Sequence, residues 1–106
     1  MIIVTSENIA NHKIVKTLGL VRGNTVRARH VGKDILAVLK NLVGGEIEEY
    51  TKMLAEAREQ AVDRMVADAE TLGANAITDV RFATSYIMGA ASEIMAYGAA
   101  VLIEPE

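Results

Sequence analysis

A chain that carries one continuous helix signal from Glu46 to Gly73 has to lay something against it. The apolar residues Ile47, Tyr50, Leu54, Ala57, Ala61, Met65, Ala69 and Leu72 recur in steps of three and four, tracing one stripe on a 3.6-residue helix. At ~1.5 Å per residue the run spans about 40 Å. That is more than a chain of 106 residues is expected to shelter alone, so neighbouring subunits are expected to cover part of it. The length itself bounds the chain to one domain, residues 1–106, because a second could hardly bury its own core.

The first turn of this helix holds Glu46, Glu48 and Glu49, which suit the positive end of a helix dipole. Gly73 can end it in the left-handed conformation of a C-cap. Before it, Ile2 to Thr5 reads as a short edge or pairing strand closed by Ser6, Glu7 and Asn8. Lys13 to Leu20 reads as a strand with a bulge or close approach at Gly19. Gly23-Asn24 reads as a turn, and Thr25 to Val31 as a second extended piece. Asp34 can cap a short helix through Ile35, Val38, Leu39 and Leu42, stopped by Gly44-Gly45.

After the long helix, Ala76 to Met88 places Val80, Phe82 and Tyr86 on one face and Arg81, Ala83 and Ser85 on the other. Gly89 starts a reversal. Glu93 to Ile103 is apolar on both faces, as a strand covered on both sides would be. The reading is an α+β fold of antiparallel β-hairpins packed on one long and one short helix, in the order β-β-α-α-β-β.

Composition closes several function classes. The chain is 51% hydrophobic but 4% aromatic, and its net charge is −3. The small side chains favour close backbone packing, and an acidic balance disfavours nucleic acid as a partner. There is no cysteine, so disulfides, thiolate metal sites and cysteine catalysis are excluded. The N-terminus lacks the pattern of a signal peptide. No apolar run reaches the ~18 residues of a membrane span. A soluble, cytoplasmic protein with no membrane partner is the expectation.

As a set, several stretches resemble the YbjQ-like family of small bacterial and archaeal proteins. They are Gly44-Gly45-Glu46 with Tyr50, Ala57-Arg58-Glu59 with Ala61 and Met65, Leu72-Gly73-Ala74-Asn75-Ala76, and Val80-Arg81-Phe82. Leu18-Gly19-Leu20-Val21-Arg22-Gly23 and Ala96-Tyr97-Gly98 are similar too. The resemblance covers nearly the whole chain. It implies a compact α+β subunit that assembles into a ring, a pentamer, with no assigned biochemical role. The family carries a heavy-metal-binding label with no ligand set that maps onto this sequence, so no metal site and no cofactor are carried over. After Tyr97-Gly98 the family commonly has Thr where this chain has Ala99, and a site that used that hydroxyl would be altered here.

Among single residues, Arg58 projects near the middle of the apolar stripe, between Leu54, Ala61 and Met65. A guanidinium there has to be paired, with Asp68 and Glu93 as candidate partners. It either bridges a strand or subunit or serves as an anion clamp in an inter-subunit pocket. His12 and His30 are the only histidines, and no His-x-His or His-x3-His pair exists to start a metal site. Glu46, Glu48 and Glu49 could hold a hard cation, although an acidic first turn is ordinary helix design. Arg22, Arg27, Arg29, His30 and Lys33 form a basic cluster that suits a small anion or a solvated strand edge.

Tyr50, on the stripe, reads as a packing or subunit contact with a reachable hydroxyl. Ser85, Ser92, Tyr86 and Tyr97 show no base-nucleophile spacing. The candidate ligand residues are thus Arg58, Tyr50, Glu93, Arg27 and Arg29. The expected function is a homo-oligomeric assembly that binds a small ligand, anion or metal ion between subunits. The alternatives are an enzyme using Arg58 and Glu93 in such a cleft, or a scaffold ring without a small-molecule site.

Overall fold

The computed structural model describes residues 1–27, 46–87 and 91–106. Over these residues the order is β1 (Ile2–Ile3), β2 (His12–Arg27), α1 (Glu46–Thr71), β3 (Ala76–Ile87) and β4 (Ala91–Pro105). The strands form one sheet in the order β1-β3-β4-β2. β3 pairs antiparallel with β4, and β4 antiparallel with β2. β1 runs parallel to β3 through Ile2↔Ala76 and Ile3↔Ile77, so the sheet is mixed and not built from antiparallel hairpins alone.

The α+β class stands, with one helix among the described residues. The order β-β-α-α-β-β does not. The expected short helix from Asp34 lies outside the described residues, and so does the reversal at Gly89. The two extended pieces before the helix are one strand of 16 residues, with no turn at Gly23-Asn24. Gly23 is there for a different reason. A Cβ on it would collide with the Ala61 carbonyl and the Met65 amide and lie 2.8 Å from the Arg64 carbonyl carbon. Only a residue without a side chain lets the helix backbone settle onto the strand at this point.

α1 lies along β2 and β4 and barely reaches β3. Its buried line is Ala57, Ala61, Met65 and Ala69, all fully covered, with Leu54, Val62 and Val66 half-buried beside it. Against them the sheet sets Val21, Ile77, Val80, Ile94, Ala96 and Ala100. The alanines bring helix and sheet close, which is what a chain poor in aromatics can do. Gly73, at φ 82°, ends the helix as expected, and the Ala74 amide donates back to the Ala69 carbonyl at 3.2 Å.

Among the described residues the other face of the sheet is covered at one end, where Ile9 packs on Ala76, Val101 and Ile103. Met95, Tyr97 and Ala99 on that face stay half-buried. Three register shifts flank β4, the first between Ile14 and Lys16. The expected one falls between Thr17 and Gly19, with Gly19 at φ 136°. The third falls between Thr78 and Arg81, where Asp79 takes φ 55°, a conformation that short polar side chains tolerate best. Between the last two Gly98 leaves no room for a side chain, because a Cβ would lie 2.8 Å from both Ile77 Cγ2 and the Thr78 carbonyl oxygen.

Candidate functional site

The offset of α1 toward β2 shapes the site. On the β2 side the helix closes the strand edge. The Arg22 amide donates to Asp68 Oδ2 at 3.2 Å, Arg64 Nη1 donates to the Asn24 carbonyl, and Thr25 Oγ1 donates to the Ala57 carbonyl at 3.0 Å. On the β3 side the same offset leaves a cleft of about 580 Å³, lined by Ala55, Arg58, Glu59, Val62, Asp63 and Phe82. Ala55, Arg58, Glu59, Val62 and Asp63 stand three and four residues apart, so one side of the helix forms the wall. Phe82, 49% exposed, forms the floor on β3.

Arg58 therefore lines a cleft, but it is exposed and not within the buried stripe as expected. The buried line steps strictly by four from Ala57, and Arg58, one residue on, is turned by about 100° toward the gap over β3. Its expected partners are occupied elsewhere. Asp68 takes the Arg22 amide, and Glu93 accepts from Asn24 Nδ2 at 3.2 Å. Glu93 also lies on the opposite side of the sheet. Its neighbour Ile94 is buried beneath α1, and alternation turns Glu93 to the open face, in register with Val26 and Ser85. An active site joining Arg58 to Glu93 is therefore not formed within one chain.

The remaining expected residues scatter. Tyr50 sits in the first half of α1, and Arg27 ends β2 opposite Ser92. Arg29, His30 and Lys33 lie outside the described residues. His12 begins β2 with Nδ1 2.8 Å from the Ala10 carbonyl oxygen. Glu59, Asp63 and Phe82 were missed. Glu59 with Asp63 is legible in the sequence as an i, i+4 carboxylate pair. On the open face, Thr17, Gly19, Leu20, Asp79, Tyr97, Gly98 and Ala99 line a shallow depression of about 390 Å³. Ala99, the position where the resembled family carries Thr, is in its wall.

Glu59 and Asp63 put two carboxylates beside one guanidinium over an apolar floor. Such a cleft can hold an ammonium or a cation at the carboxylates and an anionic group at Arg58. It does not supply a complete ligand set for a thiophilic metal. The chain has no cysteine, and no three His, Asp or Glu side chains gather among the described residues.

The class is then a small α+β protein with a single described helix laid off-centre on a mixed four-stranded sheet. The chain belongs to the YbjQ family, whose model matches residues 1–104 and is described as "Putative heavy-metal-binding". It is 62% identical over 104 residues to a UPF0145 protein of Dehalococcoides mccartyi, covering 98% of this chain and all of that one. A UPF0145 protein of Methanosarcina acetivorans is 57% identical over 103 residues, covering 97% of each. A crystal structure of a protein of unknown function from Pediococcus pentosaceus, assigned to the DUF74 family, shares the fold. Its TM-score is 0.64 at 19% identity, with 98% of both chains covered. Among the described residues no helix is long and apolar enough to cross a membrane.

Proposed function

We propose that the protein is a subunit of a homo-oligomer that binds a small ligand or ion in the cleft between α1 and β3, with a neighbouring copy closing the open side. One observation carries this reading: Arg58, Glu59 and Asp63 converge with the half-exposed Phe82 on a single concave surface. Charges of both signs above an apolar floor suit a small zwitterion, its ammonium toward the carboxylates and its acid toward the guanidinium. A lone cation would use the same two carboxylates together with donors from the neighbouring copy. The ring of five subunits that the family resemblance implies would repeat the cleft around an axis. The acid and the guanidinium that the enzymatic alternative joined face opposite sides of the sheet within one chain.

The test is thermal melting of the purified protein against two panels, amino-acid zwitterions and divalent cations. A ligand at about 100 times its dissociation constant adds ~2.7 kcal/mol of stability. A melting rise from either panel, abolished by Glu59→Gln with Asp63→Asn, is expected. The absence of any rise from both panels, or a rise that survives the double variant, sinks the proposal.

A further inference from the structure

A strand seldom holds a residue in the left-handed region, and a side chain there is costly unless the surroundings fix it. Asp79 takes φ 55° within β3, between Thr78 and Val80, which are both buried. Asp79 itself is exposed. Its amide donates to the Ser6 carbonyl at 3.0 Å, and the next amide, that of Val80, to the Val4 carbonyl at 3.1 Å, so the backbone is held on both sides of the bend. The irregularity takes the aspartate out of the alternation of β3 and sets it in the wall of the open-face depression, across β4 from Gly19. Glycine would adopt the same backbone without strain, so local geometry alone does not call for a carboxylate.

What surrounds that carboxylate is apolar. Gly98 and Ala99 give the depression a floor almost without side chains, and a Cβ on Gly19 would meet nothing within 4 Å, so the space stays open toward β2. Leu20, 70% exposed, and the half-buried Tyr97 form its sides. Asp79 is the one charged residue in the lining. Among the described residues nothing is bonded to its carboxylate, and Arg81, two residues on, gives Nη1 to the Thr5 and Val80 carbonyls instead. Arg22 and Arg81 flank Tyr97 in the next row of the sheet and do not line the depression. An anion would find no positive group in this wall. A hard metal ion, which needs six or more oxygens, would find a single carboxylate.

We infer that the depression binds a small organic monocation, an amine in its ammonium form with an apolar body. The ammonium pairs with Asp79, and the body lies over Gly98 and Ala99 between Leu20 and the Tyr97 ring. The site is on the opposite face of the sheet from the cleft between α1 and β3, and it stands whether or not that cleft holds a ligand. The two also differ in chemistry. The cleft offers a guanidinium for an acid group, whereas the depression would leave the acid of a zwitterion unpaired beside Asp79, so it selects against zwitterions.

The probe is phenethylammonium, with phenethyl alcohol as its neutral counterpart and phenylacetate as its anionic one, each titrated into the full chain and followed by amide NMR. Phenethylammonium should shift the Leu20, Asp79 and Ala99 amides saturably, the alcohol should bind roughly tenfold more weakly, and phenylacetate should not bind. Asp79→Asn removes the charge but keeps a side chain that tolerates the left-handed backbone. It should weaken phenethylammonium roughly tenfold and leave the melting temperature unchanged. Ala99→Val, which fills the floor and spares the carboxylate, should weaken it as well. The inference is overturned by the lack of a saturable shift at these amides, by alcohol or phenylacetate binding as tightly as the amine, or by binding unchanged in either folded variant. Shifts confined to Arg58, Glu59 and Phe82 also overturn it and assign the amine to the cleft. Should a variant fail to fold, the comparison of amine with alcohol on wild type decides.

Discussion

Replacing Gly23 by alanine is the sharpest probe of how this helix meets its sheet. In the structure the new methyl group would enter the space held by the Ala61 carbonyl and the Met65 amide, which are backbone and cannot rotate away. The helix would have to lift by more than an ångström over the line Ala57, Ala61, Met65 and Ala69. Overpacking of this kind costs about 1–3 kcal/mol. Lifting the helix also stretches the 3.0 Å bond from Thr25 Oγ1 to the Ala57 carbonyl, whose loss adds about 0.5–1.5 kcal/mol. Together the expected loss is roughly 1.5–4.5 kcal/mol, a melting decrease of about 6–36 °C for a chain of this size. The assay is thermal unfolding by circular dichroism at matched protein concentration, since assembly would make the midpoint concentration-dependent. Gly19→Ala gives the comparison. It strains a backbone at φ 136° but meets open space, and should cost about 1–3 kcal/mol through the backbone alone. A Gly23→Ala variant that melts within about 3 °C of wild type would refute the close approach and restore Gly23-Asn24 as an ordinary turn, where alanine costs about 1 kcal/mol or less.

Met65 is fully buried in α1, so Met65→Ala should destabilise by about 2–5 kcal/mol, and Met65→Leu by less than about 1.5 kcal/mol, in urea unfolding. Asn75 bridges to β4 with both ends of its amide. Nδ2 donates to the Ile103 carbonyl at 3.0 Å and Oδ1 accepts from the Ile103 amide at 2.8 Å. Asn75→Ala should therefore cost about 1–3 kcal/mol and accelerate exchange of the Ile103 amide, while Asn75→Asp, which keeps the acceptor, should fall between it and wild type.

Much of the fold is written locally. The long helix announces itself by period, its end by Gly73, the Thr17–Gly19 bulge by a glycine within a strand pattern, and the pair β3 and β4 by one alternating run and one that is apolar on both faces. What fails is whatever depends on a partner far along the chain. A Gly-Asn pair reads the same whether the chain must turn or must admit a helix backbone, and only the position of Ala61 and Met65 tells them apart. The two residues of β1 hold too little pattern to say that they pair in parallel with Ala76 and Ile77. Asp79 breaks its strand without a glycine to mark the place, because aspartate tolerates the same conformation at lower frequency.

Arg58 shows how the width of a stripe misleads. Leu54, Ala61 and Met65 seem to surround it, so a wide apolar face places a charge inside the core. Among the described side chains the buried face is narrow, since alanine at three of the four fully covered positions draws the sheet against a single line of side chains. One step to the side of that line Val62 and Val66 still touch the core, but Arg58 is left exposed over β3. The same economy of side-chain volume that lets a chain poor in aromatics pack thus opens the cleft holding Arg58, Glu59 and Asp63. The cleft lies on one side of the helix only. The groups in it that could bind a ligand thus share a single geometric cause, the displacement of α1 toward β2.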